Sequence, residues 1–282
     1  MSADVPVRPA STVVVLRDTA DRPEVFLVRR NATIAFMAGA HVFPGGRVDA
    51  ADADCDSAWC DLPRPRGSRL DAPPLAFRVA ALRELFEEAG LLFARDDTRH
   101  LVTIDDDDVR TRFDRYRDEI HAGRATLRDV VEREGLRLDL DAIVPFARWV
   151  TPPIEVRRFD TWFFLARVPS HQRPAHDAHE SVESEWLPPA AALDRARSGA
   201  MHLPPPTWAT LRELEDFESS DAAFAWAATR SIATRQPLVV EENGAREILL
   251  PGDPRHPQRE SVSFETRFVW AGDRWLPHTF NR

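Results

Sequence analysis

Arg83, Glu84, Glu87 and Glu88 lie within the stretch "RELFEEAG" (83–90), which crowds three carboxylates and one guanidinium onto little more than two helical turns. Like charges three or four positions apart on a helix repel by about 0.2–0.5 kcal/mol per pair, so something must offset them. On a solvated face, water and salt would do so with help from Arg83. A hard divalent cation such as Mg2+ or Mn2+ would also do so, because such ions prefer carboxylates grouped on a rigid element. The spacing of the four residues alone allows either.

The elements that must position them are legible around this stretch. "LAFRVAALRELFEEAGLLF" has helical period, with Val79, Leu82, Leu85, Phe86 and Ala89 on one stripe and the glutamates on the other. Gly90 falls where a C-terminal cap belongs. Upstream, "FPGG" (43–46) joins an aromatic, a φ-fixing proline and two glycines, a loop whose backbone can approach a ligand closely. "STVVVLRD" (11–18) and "PEVFLVRR" (23–30) read as a hairpin. Between loop and helix, residues 50–74 are rich in aspartate and proline without sustained period and read as an excursion outside the core.

Downstream, "DDDD" (105–108) precedes a charged helix whose positive end those aspartates suit. A helix at "ATLRDVVEREG" follows, then strands at "AIVPFARWV" and "RFDTWFFLARV". Helices are expected at 206–217 and 221–234, and hairpins around Asn243–Gly244 and Ala271–Gly272. The fold class is therefore a mixed α/β layer structure with late additions. Trp149, Trp162 and Phe163 sit in apolar strands and read as core, while "LPPPTW" (203–208) is a candidate for a pocket wall.

Together, "FPGG" and "RELFEEAGL" resemble the signature of the Nudix hydrolases: glycine, five residues, glutamate, seven residues, then Arg-Glu-x-x-Glu-Glu-x-Gly. The second half matches at each fixed position. In the first half Asp52 stands where the early glutamate would fall, and the gap to Arg83 is lengthened by the 50–74 excursion. "LVRRN…FMAGAHVFPGG", "ARWVTPP", "RRFDTWFFLA" and "LPGDPRHP" look similar to the insertion-bearing branch of that family that includes the peroxisomal coenzyme A diphosphatase. Arg30 and "GAHVFPGG" fit the coenzyme A signature, whereas Ala35 replaces its second arginine.

The resemblance implies one Nudix domain over 1–282, an α/β/α sandwich with its box at 46–91 and a C-terminal extension from about 203. It implies that Glu87 and Glu88 bind Mg2+ or Mn2+, that Glu84 is a ligand or the general base, and that Arg83 orients Glu84. A backbone carbonyl at Gly45 or Gly46 would complete the shell. Glu180, upstream of Trp186, would add a distant carboxylate, with Glu183 and Glu185 competing for that role. Arg30, Arg148, Arg157 and Arg158 are the candidates for gripping phosphates. The implied activity is hydrolysis of a diphosphate linkage in coenzyme A or acyl-CoA. ADP-ribose or NADH hydrolysis and a non-catalytic nucleotide sensor are the alternatives.

Composition narrows the partners. A net charge of −9 and a pI near 5.5 argue against a nucleic-acid binder, although a local arginine cluster can hold a small anion. All basic residues are arginine, a compositional bias. Cys55 and Cys60 are too few for a disulfide framework and read as reduced thiols. The N-terminal "MSADVPVRPASTVVVLRD" lacks a leader pattern, no run reaches a membrane span, and "FNR" is not a peroxisomal address. The expected setting is cytoplasmic, with a nucleotide-containing small molecule as partner and a homodimer as a possible assembly.

Overall fold

The computed structural model describes residues 5–33, 37–64, 72–177, 180–242, 244–260, 262, 264–272 and 274–278. Ala35, Asn243, part of the excursion (65–71) and the C-terminal "FNR" lie outside the described residues.

Strands β1 (Val7–Arg17) and β2 (Glu24–Arg30) form the expected hairpin, with Leu16 opposite Val25. The glycine loop then contributes β3 (His41–Val42) against β2 and β4 (Gly45–Arg47) against β1, setting Gly46 opposite Ser11. A short 3-10 turn (Ala50–Ala53) and β5 (Cys60–Asp61) precede α1 (Leu75–Ala89). β6 (Ala94–Arg95), α2 (Asp107–His121), α3 (Leu127–Arg133) and β7 (Arg137–Asp139) follow, and β5, β7 and β6 make a small sheet. Then come β8 (Ile143–Val150), β9 (Arg158–Arg167) and β10 (Ser181–Leu187).

The principal sheet runs β10-β2-β1-β9-β8, extended by the later β11 (Thr234–Arg235). Its centre is a parallel pair in which β1 and β9 stay in register from Val7 and Arg158 to Leu16 and Arg167. Both faces of this centre are covered. Val13 and Val15 pack towards α1 and α2, with Leu82, Leu85, Phe86 and Phe113. Val14 and Leu16 pack the other way, against α4 (Pro189–Arg197), α5 (Pro205–Leu214) and α6 (Ser220–Thr229), with Leu193, Trp208 and Ala223. Side chains alternate along a strand, so a strand buried on both faces reads as the unbroken apolar run "VVVL". The expected sandwich of two helical layers about a mixed sheet is thus realised.

Helix ends follow their sequence signals. Gly90 caps α1 at φ 69°, a left-handed conformation that glycine adopts without strain, and its N–H donates to the Phe86 carbonyl. The Asp106 carboxylate accepts the N–H groups of Asp108 and Val109 at the start of α2, so the aspartate run does act as a cap. α5 and α6 end earlier than expected, at Leu214 and Thr229. Beyond them β12 (Leu238–Glu242), β13 (Ala245–Leu249), β14 (Arg267–Trp270) and β15 (Trp275–Pro277) join two hairpins into one four-stranded sheet.

Two expectations are corrected. The excursion is not wholly outside the core: Asp52, Trp59 and Cys60 are buried, and β5 pairs in parallel with β7. Its two cysteines are free thiols, and Cys55 Sγ donates to Cys60 Sγ at 3.1 Å. "LPPPTW" shapes no wall of the large cavity described below, since Trp208 is buried in the core on the far side of the sheet. Trp149, Trp162 and Phe163 are buried core residues, as read. Among the described residues no helix is long and apolar enough to cross a membrane.

Candidate active site

α1 is fixed onto the sheet by polar as well as apolar contacts. Ser11 Oγ donates to the Phe77 carbonyl at 2.7 Å, and Arg78 Nη1 donates to the carbonyls of Leu140 and Ile143 at 2.9 and 2.8 Å. At the other end, Arg117 Nη2 donates to the Glu87 and Ala175 carbonyls. These anchors hold the second half of α1 beneath the glycine loop.

Arg83 organises that half. Its five N–H donors are all engaged: two reach Asp52 Oδ1 and Oδ2 at 2.9 Å each, two reach Glu84 Oε1 and Glu87 Oε1 at 2.9 Å each, and one reaches the Arg47 carbonyl at 2.7 Å. Burial opposes the Arg83 cation, yet the hydrogen bonds to Asp52 and the charge of Glu84 hold it firmly protonated. Asp52 is placed for this by the 3-10 turn, where its carboxylate also accepts the Asp49 N–H at 2.7 Å. The resemblance marked Asp52 only as a departure from the pattern; its five-residue spacing from Gly46 was the signal for its position.

The glutamates do not form a solvated face. Glu84 and Glu87 side chains are 15% exposed, and Glu88 is buried. Burial pushes the Glu84 pKa up to about 7 against the pull of Arg83, with the Glu87 charge adding to the rise. Burial raises Glu87 too, and burial with the Glu84 charge holds Glu88 well above the usual carboxylate range. Glu88 Oε2 accepts the Gly45 N–H at 2.9 Å. Gly46 lies so near Glu84 that a Cβ there would come within 2.4 Å of Oε1, and one at Gly45 would come within 2.3 Å of the Ser11 carbonyl.

A cavity of about 1200 Å3 opens over this helix and is lined by Gly45, Gly46, Arg83, Glu84, Glu87 and Glu180, among others. Arg30, Arg157 and Arg158 also line it, so most of the sequence-predicted residues meet around one space. Glu180 is 3.6 Å from Arg30, whose Nε is buried without a hydrogen-bond partner. Glu183 and Glu185 are engaged elsewhere, with Arg29 at 2.8 Å and Arg195 at 2.6 Å. Two predicted residues are set apart. Glu88 lies behind the cavity wall, and Arg148 is outside the cavity, with Nε and Nη2 on the two oxygens of Asp160 at 2.8 and 2.6 Å. Arg158 lines the cavity but spends its donors on the Thr151 and Val5 carbonyls.

The donor set suits a hard divalent cation. Asp52, Glu84 and Glu87 place three carboxylates on the single guanidinium of Arg83, with Glu88 close to Glu84, and burial, with neighbouring carboxylate charge adding to it, raises the glutamate pKa values. The carboxylates are drawn apart here, three to Arg83 and one to Gly45, and among the described residues no three acidic, histidine or cysteine side chains share one centre.

A mixed sheet between helical layers, with an Arg-Glu-x-x-Glu-Glu helix packed under a glycine loop, defines a Nudix hydrolase. A NUDIX hydrolase crystal structure from Alicyclobacillus acidocaldarius superposes with TM-score 0.71 and 32% identity, covering 82% of this chain and all of that one. Over residues 64–214, more than half its length, the chain matches the NUDT19 Nudix domain, and it belongs to that family. Proteins named acyl-coenzyme A diphosphatase NUDT19 are similar to it. The Homo sapiens one is 30% identical over 81% of this chain and 71% of its own length, and the Xenopus laevis one 25% over 92% and 78%.

Proposed function

We propose that this protein hydrolyses the diphosphate linkage of coenzyme A or an acyl-CoA, giving 3′,5′-ADP and a 4′-phosphopantetheine. The observation that carries this reading is the single cavity that joins the Arg83 glutamate helix to a wall of arginines. The naming of its relatives as acyl-coenzyme A diphosphatases supports the substrate class.

Glu84, Glu87 and Glu88 would hold Mg2+ or Mn2+, joined by a carbonyl at Gly45 or Gly46 and by Glu180. When bound, the cation would neutralise the diphosphate oxygens and acidify the attacking water. Arg83 fixes the rotamers of Glu84 and Glu87 through Nη1, and Asp52 fixes Arg83. Glu84 lines the cavity, and if it is not itself a ligand its role would be to take the proton from the attacking water. Arg30, with a free buried Nε, is placed to donate to a diphosphate oxygen. Phosphoryl substitution needs positioning more than covalent chemistry, so no enzyme-bound intermediate is required.

Incubation with Mg2+ or Mn2+ and a panel of coenzyme A, acyl-CoA, ADP-ribose and NADH, with products identified by mass, tests the reading. Release of 3′,5′-ADP and a phosphopantetheine is the expected result. Turnover confined to ADP-ribose or NADH would overturn the substrate assignment, and no turnover of any of them would favour a sensor.

A further inference from the structure

The chain carries 46 acidic against 37 basic residues, so an arginine can readily find a carboxylate. Among the described residues, nearly every arginine side chain is engaged with a carboxylate, a carbonyl or an aromatic ring; Arg8, Arg47, Arg157 and Arg173 are the exceptions. Three of these four, Arg8, Arg47 and Arg157, line the same large cavity as Glu84 and Glu87.

The sheet register brings those three together from two strands, β1 and β4, and from the residue just before a third, β9. Arg47 on β4 stands opposite Ala10, two positions along β1 from Arg8. Arg157 immediately precedes Arg158, which stands opposite Val7, the neighbour of Arg8. The buried Arg158 side chain, tied to the Val5 and Thr151 carbonyls, pins the strand start beside Arg157. Like charges gathered at one rim repel, and Asp49, an exposed carboxylate that also lines the cavity, lies 3.8 Å from Arg83. A dianion held by planar guanidinium forks would relieve that repulsion.

We propose that Arg8, Arg47 and Arg157 form a subsite for a phosphate monoester separate from the diphosphate being cut. Resting on the coenzyme A reading above, this assigns them the 3′-phosphate on the substrate's ribose. The subsite then selects substrates that carry that group over otherwise identical ones that lack it.

Steady-state kinetics on coenzyme A and dephospho-coenzyme A test the selection, and calorimetric binding of 3′,5′-ADP and 5′-AMP tests it without turnover. The wild-type protein should prefer coenzyme A and bind 3′,5′-ADP more tightly than AMP. Each of Arg8→Ala, Arg47→Ala and Arg157→Ala should lower the ratio of kcat/KM between the two substrates by about tenfold, the scale of one charged hydrogen bond. In the same variants the preference for 3′,5′-ADP should shrink correspondingly. All three residues are exposed, so circular dichroism should show intact folds. Equal treatment of the paired ligands by the wild-type protein, or ratios unmoved in all three variants, would overturn the subsite. A wild-type protein that cleaves neither substrate yet shows an arginine-dependent preference for 3′,5′-ADP would remove the hydrolase reading and leave the subsite standing.

Discussion

Arg83 binds both carboxylate oxygens of Asp52 at 2.9 Å, although 31 positions and most of the excursion separate them in the chain. The pair is buried, with Asp52 only 2% exposed, and it closes the inserted segment back onto α1. Replacing Asp52 with alanine strands two donors of a buried cation. The expected cost is about 3–5 kcal/mol in urea unfolding, because removing one partner of a buried pair leaves the other uncompensated. Turnover should fall with it as Glu84 and Glu87 lose a fixed guide. Stability within about 0.5 kcal/mol of wild type would show that the pair does not hold the segment.

Gly46 separates geometry from stability. An alanine Cβ at this position displaces the end of the Glu84 side chain, a flexible group that can swing away. Gly46→Ala should therefore lower kcat by about a hundredfold, the scale of losing one general base, with little change in melting temperature. Gly135→Ala, at φ 64° with open space around it, should do the reverse, costing about 1 kcal/mol and no turnover.

Stability against pH should report the glutamate cluster. The folded, cation-free chain keeps protons on Glu84 and Glu88 that the unfolded chain releases near the ordinary value of 4.5. Their contribution is therefore full at the acid end and is lost as pH rises above about 4.5, for Glu84 through about 7. Asp18, lowered by its bonds to Ser220, and Asp129, lowered by its bonds to Thr126, lose their contributions only as pH falls below the ordinary 3.8. His41, lowered by burial, acts in the opposite sense near 6.5 but is common to both samples. Melting temperatures measured across this window with chelator and with Mg2+ should differ increasingly as pH rises, since binding displaces the protons. Parallel curves would argue against a cation at these glutamates.

Trp208 tests the far layer. Trp208→Ala should destabilise the fold by about 3–5 kcal/mol, the cost of emptying a large core site, while KM stays near wild type. A large rise in KM with unchanged stability would return "LPPPTW" to the pocket.

Much of this organisation was legible in the sequence because it rests on local rules. The apolar run of β1, the stripe of α1, the cap at Gly90 and the aspartates before α2 each follow from period or end chemistry. The Arg-Glu-x-x-Glu-Glu spacing marked the site but placed its glutamates on a polar stripe, whereas glycine loop and cavity wall cover them. That packing comes from Gly45 and Gly46 lying against α1, a contact between segments distant in sequence. Asp52 and Trp59 were hidden inside an aspartate-rich stretch whose composition reads as solvent-facing. The pairing of Arg148 with Asp160, and the lack of a partner at Arg8 and Arg47, depend on sheet register and could not be read from residue type.

Diphosphate cleavage is proposed to depend on a cation held by Glu84, Glu87 and Glu88. The most direct test of this dependence is to measure Mn2+ binding and acyl-CoA turnover side by side in the wild-type protein and in Glu84→Gln, Glu87→Gln and Glu88→Gln, with circular dichroism as a check of folding. The variants should fold, bind Mn2+ weakly and lose most turnover. Full rate and unchanged Mn2+ affinity in Glu87→Gln and Glu88→Gln would contradict this dependence.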